Sequence, residues 1–237
     1  VIGVLNAESK SLNAFSIENE AIWQDLASGM VTVIRLAEVI AEKAALTSLS
    51  STRQMVAQGS IPDLALILEN ILERAMVVAD AHRDGYGQLL LIDDDQIHLT
   101  IEQSTMRDDI GQKVSIDNSV SGLAVDRKTT IYVGNLQEDV DPDRGPYRYF
   151  HQWFSPIQMK CELAVPLLFD GTVVGVINLE KSTTYAFTEL HARLVGALAT
   201  EATLIIMQSR FREKELQQKL EQQQNRDIAN ILHRLNN

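Results

Sequence analysis

The stretch Cys161–Phe187, CELAVPLLFDGTVVGVINLEKSTTYAF, decides the fold because it contains the clearest β-hairpin of the chain. Two largely apolar segments, MKCELAVPLLFD and TVVGVINLE, meet at Asp170-Gly171. An Asp-Gly pair between two such segments is typical of a two-residue hairpin turn. After Phe187 a helical pattern starts at Thr188 and runs without proline to Asn237. The stretch therefore predicts a hairpin that leads into a long helix.

The first fifteen residues repeat part of this hairpin. Val1–Phe15 is VIGVLNAESKSLNAF, and Val173–Phe187 is VVGVINLEKSTTYAF, with glycine, asparagine, glutamate and phenylalanine at the same offset. A shared offset over this span indicates an internal repeat whose first copy lacks its body. We therefore expect residues 1–15 to be the last strand and turn of a preceding, truncated domain.

Composition excludes several classes of function. The 237 residues suffice for one or two domains, and a net charge of -11 argues against nucleic-acid binding, which needs clustered Lys and Arg. Cys161 is the only cysteine, so an intrachain disulfide is impossible and a reducing compartment is expected. No apolar run approaches the roughly 18 residues of a membrane span, and no signal peptide is visible. The sequence thus predicts a cytoplasmic protein with no nucleic-acid or membrane partner.

Residues 16–58 predict a long connecting helix. Ser16 is a suitable N-cap, no proline interrupts the segment, and apolar residues from Ile22 to Ala44 recur at three- and four-residue spacing. At 1.5 Å per residue this helix is on the order of 60 Å long, too long to bury its apolar stripe on one small domain. A second copy of the chain is the simplest partner, so we expect a homodimer through the long helices.

The segment 59–207 predicts a compact domain. Gly59 ends the connecting helix, and a new helix follows in which Ser60 can cap and Pro62-Asp63 suit the first turn. Short strands are predicted in GQLLLID, QIHLTIEQ and TTIYVGN, and the acidic run Asp93–Asp95 is interpreted as a hairpin turn. The expected buried face of the new helix consists of Leu64, Leu68, Ile71, Ala75 and Val78.

The exit helix changes character near Met207. Its first part is rich in Leu, Ala and Ile and is expected to pack on the sheet. In residues 208–237 the stretch FREKELQQKLEQQQNRD has only Leu216 and Leu220 as apolar residues after Phe211. Such a polar helix predicts a solvated rod or a thin two-stranded coiled coil.

Aromatic residues concentrate in the stretch Pro146–Phe154, PYRYFHQWF. Aromatic walls with a few polar groups suit flat small molecules, so this stretch is a candidate ligand-binding segment. The alternative is that the rings pack the loop onto the sheet and leave no cavity. The candidate ligand-binding residues are Tyr147, Tyr149, Phe150, His151, Trp153 and Phe154.

Three phrases of the sequence resemble a GAF domain in order and content. They are DLALILENILERAMVVADAHRDGYGQLLLID, SIDNSVSGLAVDRKTTIYVGN and CELAVPLLFDGTVVGVINLEKSTTYAFTELHARLVGALA, which together cover about residues 60–207. The resemblance implies an α+β fold in which helices flank a six-stranded antiparallel sheet, here with long N- and C-terminal coiled-coil helices. By the same resemblance, residues 1–15 look like the end of a preceding GAF domain.

The resemblance also allows tests of known GAF ligands. Some members hold a bilin through a cysteine, but Cys161 stands on a strand where most of the family has a small residue, and no Cys-His pair occurs in the expected loop. The cyclic-nucleotide pattern fails because His191-Ala192 follow Phe187 where an Asp-Glu pair is expected. We therefore expect no cofactor, disfavour both ligands, and interpret Cys161 as a small core residue. The five histidines lack metal-ligand spacing, so no metal site is predicted.

The C-terminal HRLNN resembles the start of the phosphoacceptor box of a sensor histidine kinase. Carried over to this sequence, His233 corresponds to the phosphorylated histidine, Leu235 to a core position and Asn237 to a residue that can orient water. Most such boxes have an acid after the histidine, whereas Arg234 stands here. The alternative is an ordinary solvated histidine on a helix.

These features predict the sensory module of a bacterial, possibly cyanobacterial, sensor histidine kinase that relays a ligand or partner state through dimeric helices. No catalysis is expected from this chain alone, and its partners are a downstream ATP-binding kinase domain and a response regulator. One alternative keeps the GAF domain but places it in a cyclase, a phosphodiesterase or a transcription activator. Another is a ligandless GAF domain that serves as a dimerisation spacer.

Overall fold

The computed structural model describes residues 6, 20, 22–24, 26–31, 64–93, 95–147 and 158–235, with the backbone alone for 227 and 229–235. The chain divides into two compact units, Val1–Ala44 and Ala45–Asn237. In the first unit residues 22–24 and 26–31 are helical. Ile22, Leu26 and Met30 of its apolar stripe are exposed within this chain. The predicted domain boundaries remain predictions, since most of residues 1–63 lie outside the described part.

The second unit is built around an antiparallel sheet. Its strands are β1 Gly85–Ile92, β2 His98–Ser104, β3 Lys113–Ser115, β4 Ile131–Val133, β5 Val140–Asp141, β6 Gly145–Pro146, β7 Cys161–Phe169 and β8 Thr172–Lys181. Within the described residues, six strands have the spatial order β3-β2-β1-β8-β7-β4, and a separate two-stranded ladder joins β5 to β6. This architecture confirms the predicted α+β fold with a six-stranded antiparallel sheet.

The β7–β8 hairpin forms the centre of the sheet, as its sequence predicts. Asp170 and Gly171 have φ angles of 48° and 73°, the left-handed values required at both central positions of a type I′ turn. A bulge between Leu167 and Leu168 then shifts the register by one residue. Beyond the bulge, Glu162 lies opposite Glu180.

Alternation along the strands separates two hydrophobic clusters on opposite faces of the sheet. On one face α1, Leu64–Val78, and α3, Glu189–Leu235, cover residues such as Leu163 and Ile177. On the other face α2, Val120–Arg127, covers residues such as Ala164 and Val176. Neighbouring residues of β7 and β8 therefore belong to different clusters, and a displacement of this hairpin acts on both.

Helix α1 confirms the predicted helix and corrects part of its buried face. Leu68, Ile71 and Ala75 are buried as expected, whereas Leu64 and Val78 are only partly buried. The prediction omitted three buried residues because the helix contacts both the sheet and α3, which widens its apolar stripe. These residues are Ile67, Leu72 and Met76.

Helix α3 extends from the core to Leu235 without interruption. Its 47 residues correspond to about 70 Å, and Val195, Leu198 and Ile206 are buried against the sheet. By length and composition the segment Glu189–Arg226 could also cross a membrane. The burial of Val195, Leu198 and Ile206 inside the domain is that of a core helix. From Glu213 to Arg226 every residue is exposed. The solvent exposure of α3 thus increases after Met207, where its composition becomes polar.

Candidate functional site

Two carboxylates lie side by side on the face of the sheet that α2 covers. Glu180 on β8 is paired with Tyr86 on β1 and with Glu162 on β7. Glu162 and Glu180 stand an even number of residues from Ala164 and Val176, so their side chains share the face of that cluster. Directly opposed residues on antiparallel strands have Cβ atoms about 4.5–5.5 Å apart. The strand register therefore holds two acidic side chains against each other.

Burial makes this arrangement costly. Glu162 is 7% exposed, Glu180 is partly buried, and Asn178, two residues before Glu180 on β8, is 3% exposed. Asn178 donates a hydrogen bond from Nδ2 to Oε1 of Glu180 at 3.0 Å. Its buried Oδ1 has no hydrogen-bond partner among the described residues. Two full charges on directly opposed, buried side chains repel each other, so simultaneous ionisation is disfavoured.

The pKa values of both glutamates are raised. Burial raises the pKa of Glu180 to about 7, a hydrogen bond from Asn178 opposes this shift, and nearby Asp109 adds to it. Burial also raises the pKa of Glu162 well above its usual range, and the charge of Glu180 raises it further. At neutral pH the pair therefore retains a proton, as two close carboxyl groups do in general.

A network of neutral and acidic groups borders the pair. The Tyr86 hydroxyl donates to Asp109, and the Gln88 amide donates to the Tyr86 oxygen. Ser104 Oγ also donates to Asp109 Oδ2, at 3.3 Å. Among the described residues, neither of these glutamates nor Asp109 takes part in an ion pair. The site is thus acidic and rich in hydrogen-bond acceptors.

A family model for the GAF domain matches residues 62–207. The chain belongs to the GAF domain family. GAF domains are regulatory and sensory modules of signalling proteins, and the sheet order and flanking helices described above are those of this fold. A search of curated proteins returned no significant match.

Solved structures resemble the chain in fold. The GAF domain of an Acinetobacter phosphoenolpyruvate-protein phosphotransferase aligns with a TM-score of 0.53 and 18% identity, over 69% of this chain and 95% of that one. The corresponding domain from Coxiella burnetii gives 0.54 and 16%, over 73% and 98%. Free methionine-R-sulfoxide reductase from Neisseria meningitidis gives 0.51 and 22%, over 70% and 89%. At these identities the similarity establishes the fold alone.

Helix α2 of the GAF domain is held close to the sheet by its first turn. Ser119 caps the helix, since its Oγ accepts a hydrogen bond from the Gly122 backbone N–H at 2.9 Å. A Cβ atom at Gly122 would lie 1.8 Å from the Ile116 carbonyl oxygen, so this approach requires glycine. The cap and the glycine together fix the helix over the α2 face of the sheet.

Tyr147 is the one predicted ligand-binding aromatic residue within the described part of the chain. It is buried in the α2-side cluster, and its hydroxyl donates to Asp141 Oδ2 at 3.2 Å. Burial, followed by the charge of Asp141, raises the pKa of Tyr147 to about 12. Asp141 is in turn paired with Arg127 of α2 at 2.8 Å. Tyr147 is thus tied to Asp141 and to the α2-side cluster, and its proposed role in ligand binding stays a prediction.

The other predicted site residues are not placed by the structure. The backbone at His233 belongs to α3, but the described side chains do not include His233, Arg234 or Leu235, and Asn237 lies outside the described residues. The remaining aromatic-stretch residues also lie outside them: Tyr149, Phe150, His151, Trp153 and Phe154. Their proposed roles stay predictions.

Three further interpretations can be compared with the structure. Cys161 is fully buried in the cluster beneath α1 and α3, and burial raises the pKa of its thiol, which is the environment expected of a core residue. Asp95 forms the predicted hairpin turn by accepting the backbone N–H groups of Ile97 and His98. No metal-binding group of three His, Cys, Asp or Glu side chains occurs among the described residues.

The Glu162–Glu180 pair was not predicted from the sequence. The available signal was a glutamate within each of two strongly apolar segments, CELAVPLLF and TVVGVINLE. A charged residue in a central strand that is covered on both faces calls for a partner, because buried charge is costly.

A concave surface lies apart from the acid pair. A groove of about 600 Å³ separates α1 from β2 and the 3-10 helix Arg107–Asp109. Glu69, Glu73, His82 and Arg107 are among its lining residues, so both acidic and basic groups are present. The groove lacks the one-sided acidity of the Glu162–Glu180 pair.

Proposed function

We propose that this GAF domain is the sensory and signal-transmitting module of a dimeric bacterial sensor histidine kinase. In this proposal the α2 face of the sheet senses a small ligand, and α3 carries the resulting change towards His233. The observation that carries the proposal is the continuity of α3, which runs from the core of the GAF domain to Leu235 as one helix. Similarity of HRLNN to a phosphoacceptor box supplies the expected output.

The β7–β8 hairpin provides the first mechanical step. Glu162 and Glu180 stand on its α2 face, while Leu163 and Leu179 belong to the cluster that contains α3 residues such as Leu198. A rigid strand cannot move its residues on one face without moving those on the other. A change in the spacing of the two glutamates therefore alters the surface on which α3 packs.

An aromatic contact provides a second connection where α3 leaves the domain. Phe169, at the turn of the hairpin, meets Phe211 of α3 with ring centroids 6.4 Å apart and an interplanar angle of 60°. This is the edge-to-face geometry that aromatic pairs prefer. The contact couples the outer end of the hairpin to the first exposed turn of the helix.

The exposed part of α3 suits association with a second helix. Leu216, Leu220 and Ile228 are each about half exposed in the single chain. In a parallel dimer these residues would be covered, and a seam with few apolar residues permits two packings of similar energy. Such a bistable element is what a ligand-dependent relay requires.

The test uses the protein extended by its native downstream sequence. With labelled ATP we expect acid-labile phosphate that is lost in His233→Gln and retained in the matched control His82→Gln, whose histidine lies in an exposed turn. Arg234→Glu is expected to preserve or raise labelling by restoring an acid beside the histidine. Labelling that survives His233→Gln, or a downstream sequence with neither an ATP-binding domain nor a partner kinase, would contradict the proposal.

A further inference from the structure

We propose that the Glu162–Glu180 pair recognises the cationic head group of a small organic ligand, a primary ammonium or an amidinium. This inference names the ligand class for the proposed sensory face and rests on that function. It follows from the kinds of group that meet there, from their burial and from the absence of a compensating side chain among the described residues.

The chemistry of the site is one-sided. The Glu162 and Glu180 carboxylates only accept hydrogen bonds when ionised, and each lies within reach of Asn178. Within the described part of the chain, this amide is their side-chain hydrogen-bond partner, and no Lys, Arg or His forms an ion pair with either glutamate. A ligand that supplies several N–H donors and a positive charge would complement this set.

The amide oxygen of Asn178 is unsatisfied. Asn178 is almost completely buried on β8, two residues before Glu180, and its Oδ1 has no hydrogen-bond partner among the described residues. Buried polar atoms without a partner are rare and indicate a bound water, an ion or a binding role. An ammonium has three N–H donors and an amidinium four, enough to bridge both carboxylates and this oxygen.

The surroundings favour an organic cation over a metal ion. The described residues contain no cluster of three ligating side chains with suitable geometry for a metal. Val133 is the cross-strand neighbour of Glu162, and Tyr86 is that of Glu180. These side chains flank the acid pair with an aliphatic and an aromatic surface, which suits the carbon atoms next to an amine.

Protons and the ligand should compete for the same carboxylates. The titratable groups nearest the pair on the adjoining elements of the described structure are Tyr86 on β1 and Asp109 in the 3-10 helix. The raised pKa of Tyr86 keeps it neutral, so it does not supply the missing cation. With Glu180 at a pKa of about 7, its ionised fraction rises from about one-tenth at pH 6 to about nine-tenths at pH 8. The affinity for a cation should therefore rise about tenfold over this range.

The experiment uses benzylamine, benzamidine and agmatine as probes, with benzyl alcohol and benzoate as the neutral and anionic controls. Thermal unfolding of the whole chain and titration calorimetry are measured at pH 8 and repeated at pH 6. At least one cationic probe is expected to raise the Tm of the wild type, while the two controls leave it unchanged. Its Kd is expected to be about tenfold weaker at pH 6.

Matched variants locate the effect. Glu162→Gln and Glu180→Gln keep the shape of the pair, and each should weaken the cationic probe by about tenfold or more, since each removes a carboxyl group that the bound cation favours in its ionised form. Glu138→Gln removes a carboxylate that is exposed and distant in sequence from the pair, and it should bind like the wild type. Loss of binding confined to the pair variants supports the assignment.

The inference is overturned if no cationic probe raises the Tm of the wild type by more than it raises the Tm of Glu180→Gln. It is also overturned if benzyl alcohol or benzoate binds at the pair while the cations do not. Both outcomes leave the sensory function untouched, because phosphorylation of His233 in the extended protein is measured without any probe. Conversely, cation binding with no phosphorylation would retain the site and reject the kinase function.

Discussion

Ionisation of Glu180 should make the stability of the GAF domain depend on pH in a direction unusual for a carboxylate. Its pKa is about 7 in the folded chain against 4.5 for the ordinary side chain. Between these values the folded state binds more protons than the unfolded state, so the free energy of unfolding falls as pH rises. The difference corresponds to about 3 kcal/mol at 1.36 kcal/mol per pKa unit. For a domain of this size that is a Tm decrease of roughly 6–12 °C.

Glu180→Gln isolates this contribution. The variant resembles the protonated side chain, so it should match the wild type near pH 4, below the ordinary pKa of 4.5, and exceed its stability by about 3 kcal/mol near pH 8. Burial lowers the pKa of His191, so its contribution to the free energy of unfolding rises as pH rises. This contribution is present in both proteins and cancels in the difference between them. Urea unfolding followed by circular dichroism at several pH values gives the two curves. Parallel curves, or a wild type that gains stability relative to the variant as pH rises, would refute the reasoning.

Two other predictions address the packing that positions and reads the site. Gly122→Ala should lower the free energy of unfolding by at least about 3 kcal/mol, because its Cβ would overlap the Ile116 carbonyl. The control Gly196→Ala, with no atom within 4 Å of the added Cβ, should be neutral or stabilise by up to about 1 kcal/mol. Equal losses of stability in urea unfolding would contradict the close approach of α2 to the Ile116 carbonyl. A double-mutant cycle with Phe169→Leu and Phe211→Leu should give a coupling energy of about 0.5–1.5 kcal/mol, and additive effects would show that the aromatic contact contributes nothing.

The elements with strong local signals were predictable from the sequence. Asp170-Gly171 determines a turn whose backbone angles few other residue pairs adopt, and the apolar periodicity after Thr188 determines a helix. Strand β3 was missed because Lys113–Ser115 has only three residues, and its conformation depends on pairing with β2. Short edge strands have little sequence pattern of their own.

The candidate site depends on register, which local patterns do not reveal. Counting back from the turn without a bulge pairs Glu162 with Leu179, on the opposite face from Glu180. The bulge at Leu167–Leu168 adds one residue to β8 and brings the two glutamates together. Both strands are covered on both faces and read as almost continuous apolar runs, so alternation does not show which face carries the acids. The aromatic stretch, in contrast, can be recognised from composition alone, without knowledge of the strand register.

The central claim is that the state of the acid pair on one face of the sheet reaches α3 on the other. Amide hydrogen exchange of residues 211–220 tests this directly, in the wild type, in Glu180→Gln and in the control Glu138→Gln at pH 8. Amides in this exposed segment exchange by local opening, so the higher global stability of Glu180→Gln does not by itself slow them. We expect exchange in Glu180→Gln to differ at least about twofold from that in the other two proteins. Identical exchange in all three proteins, together with altered exchange in β7 and β8, would contradict the relay.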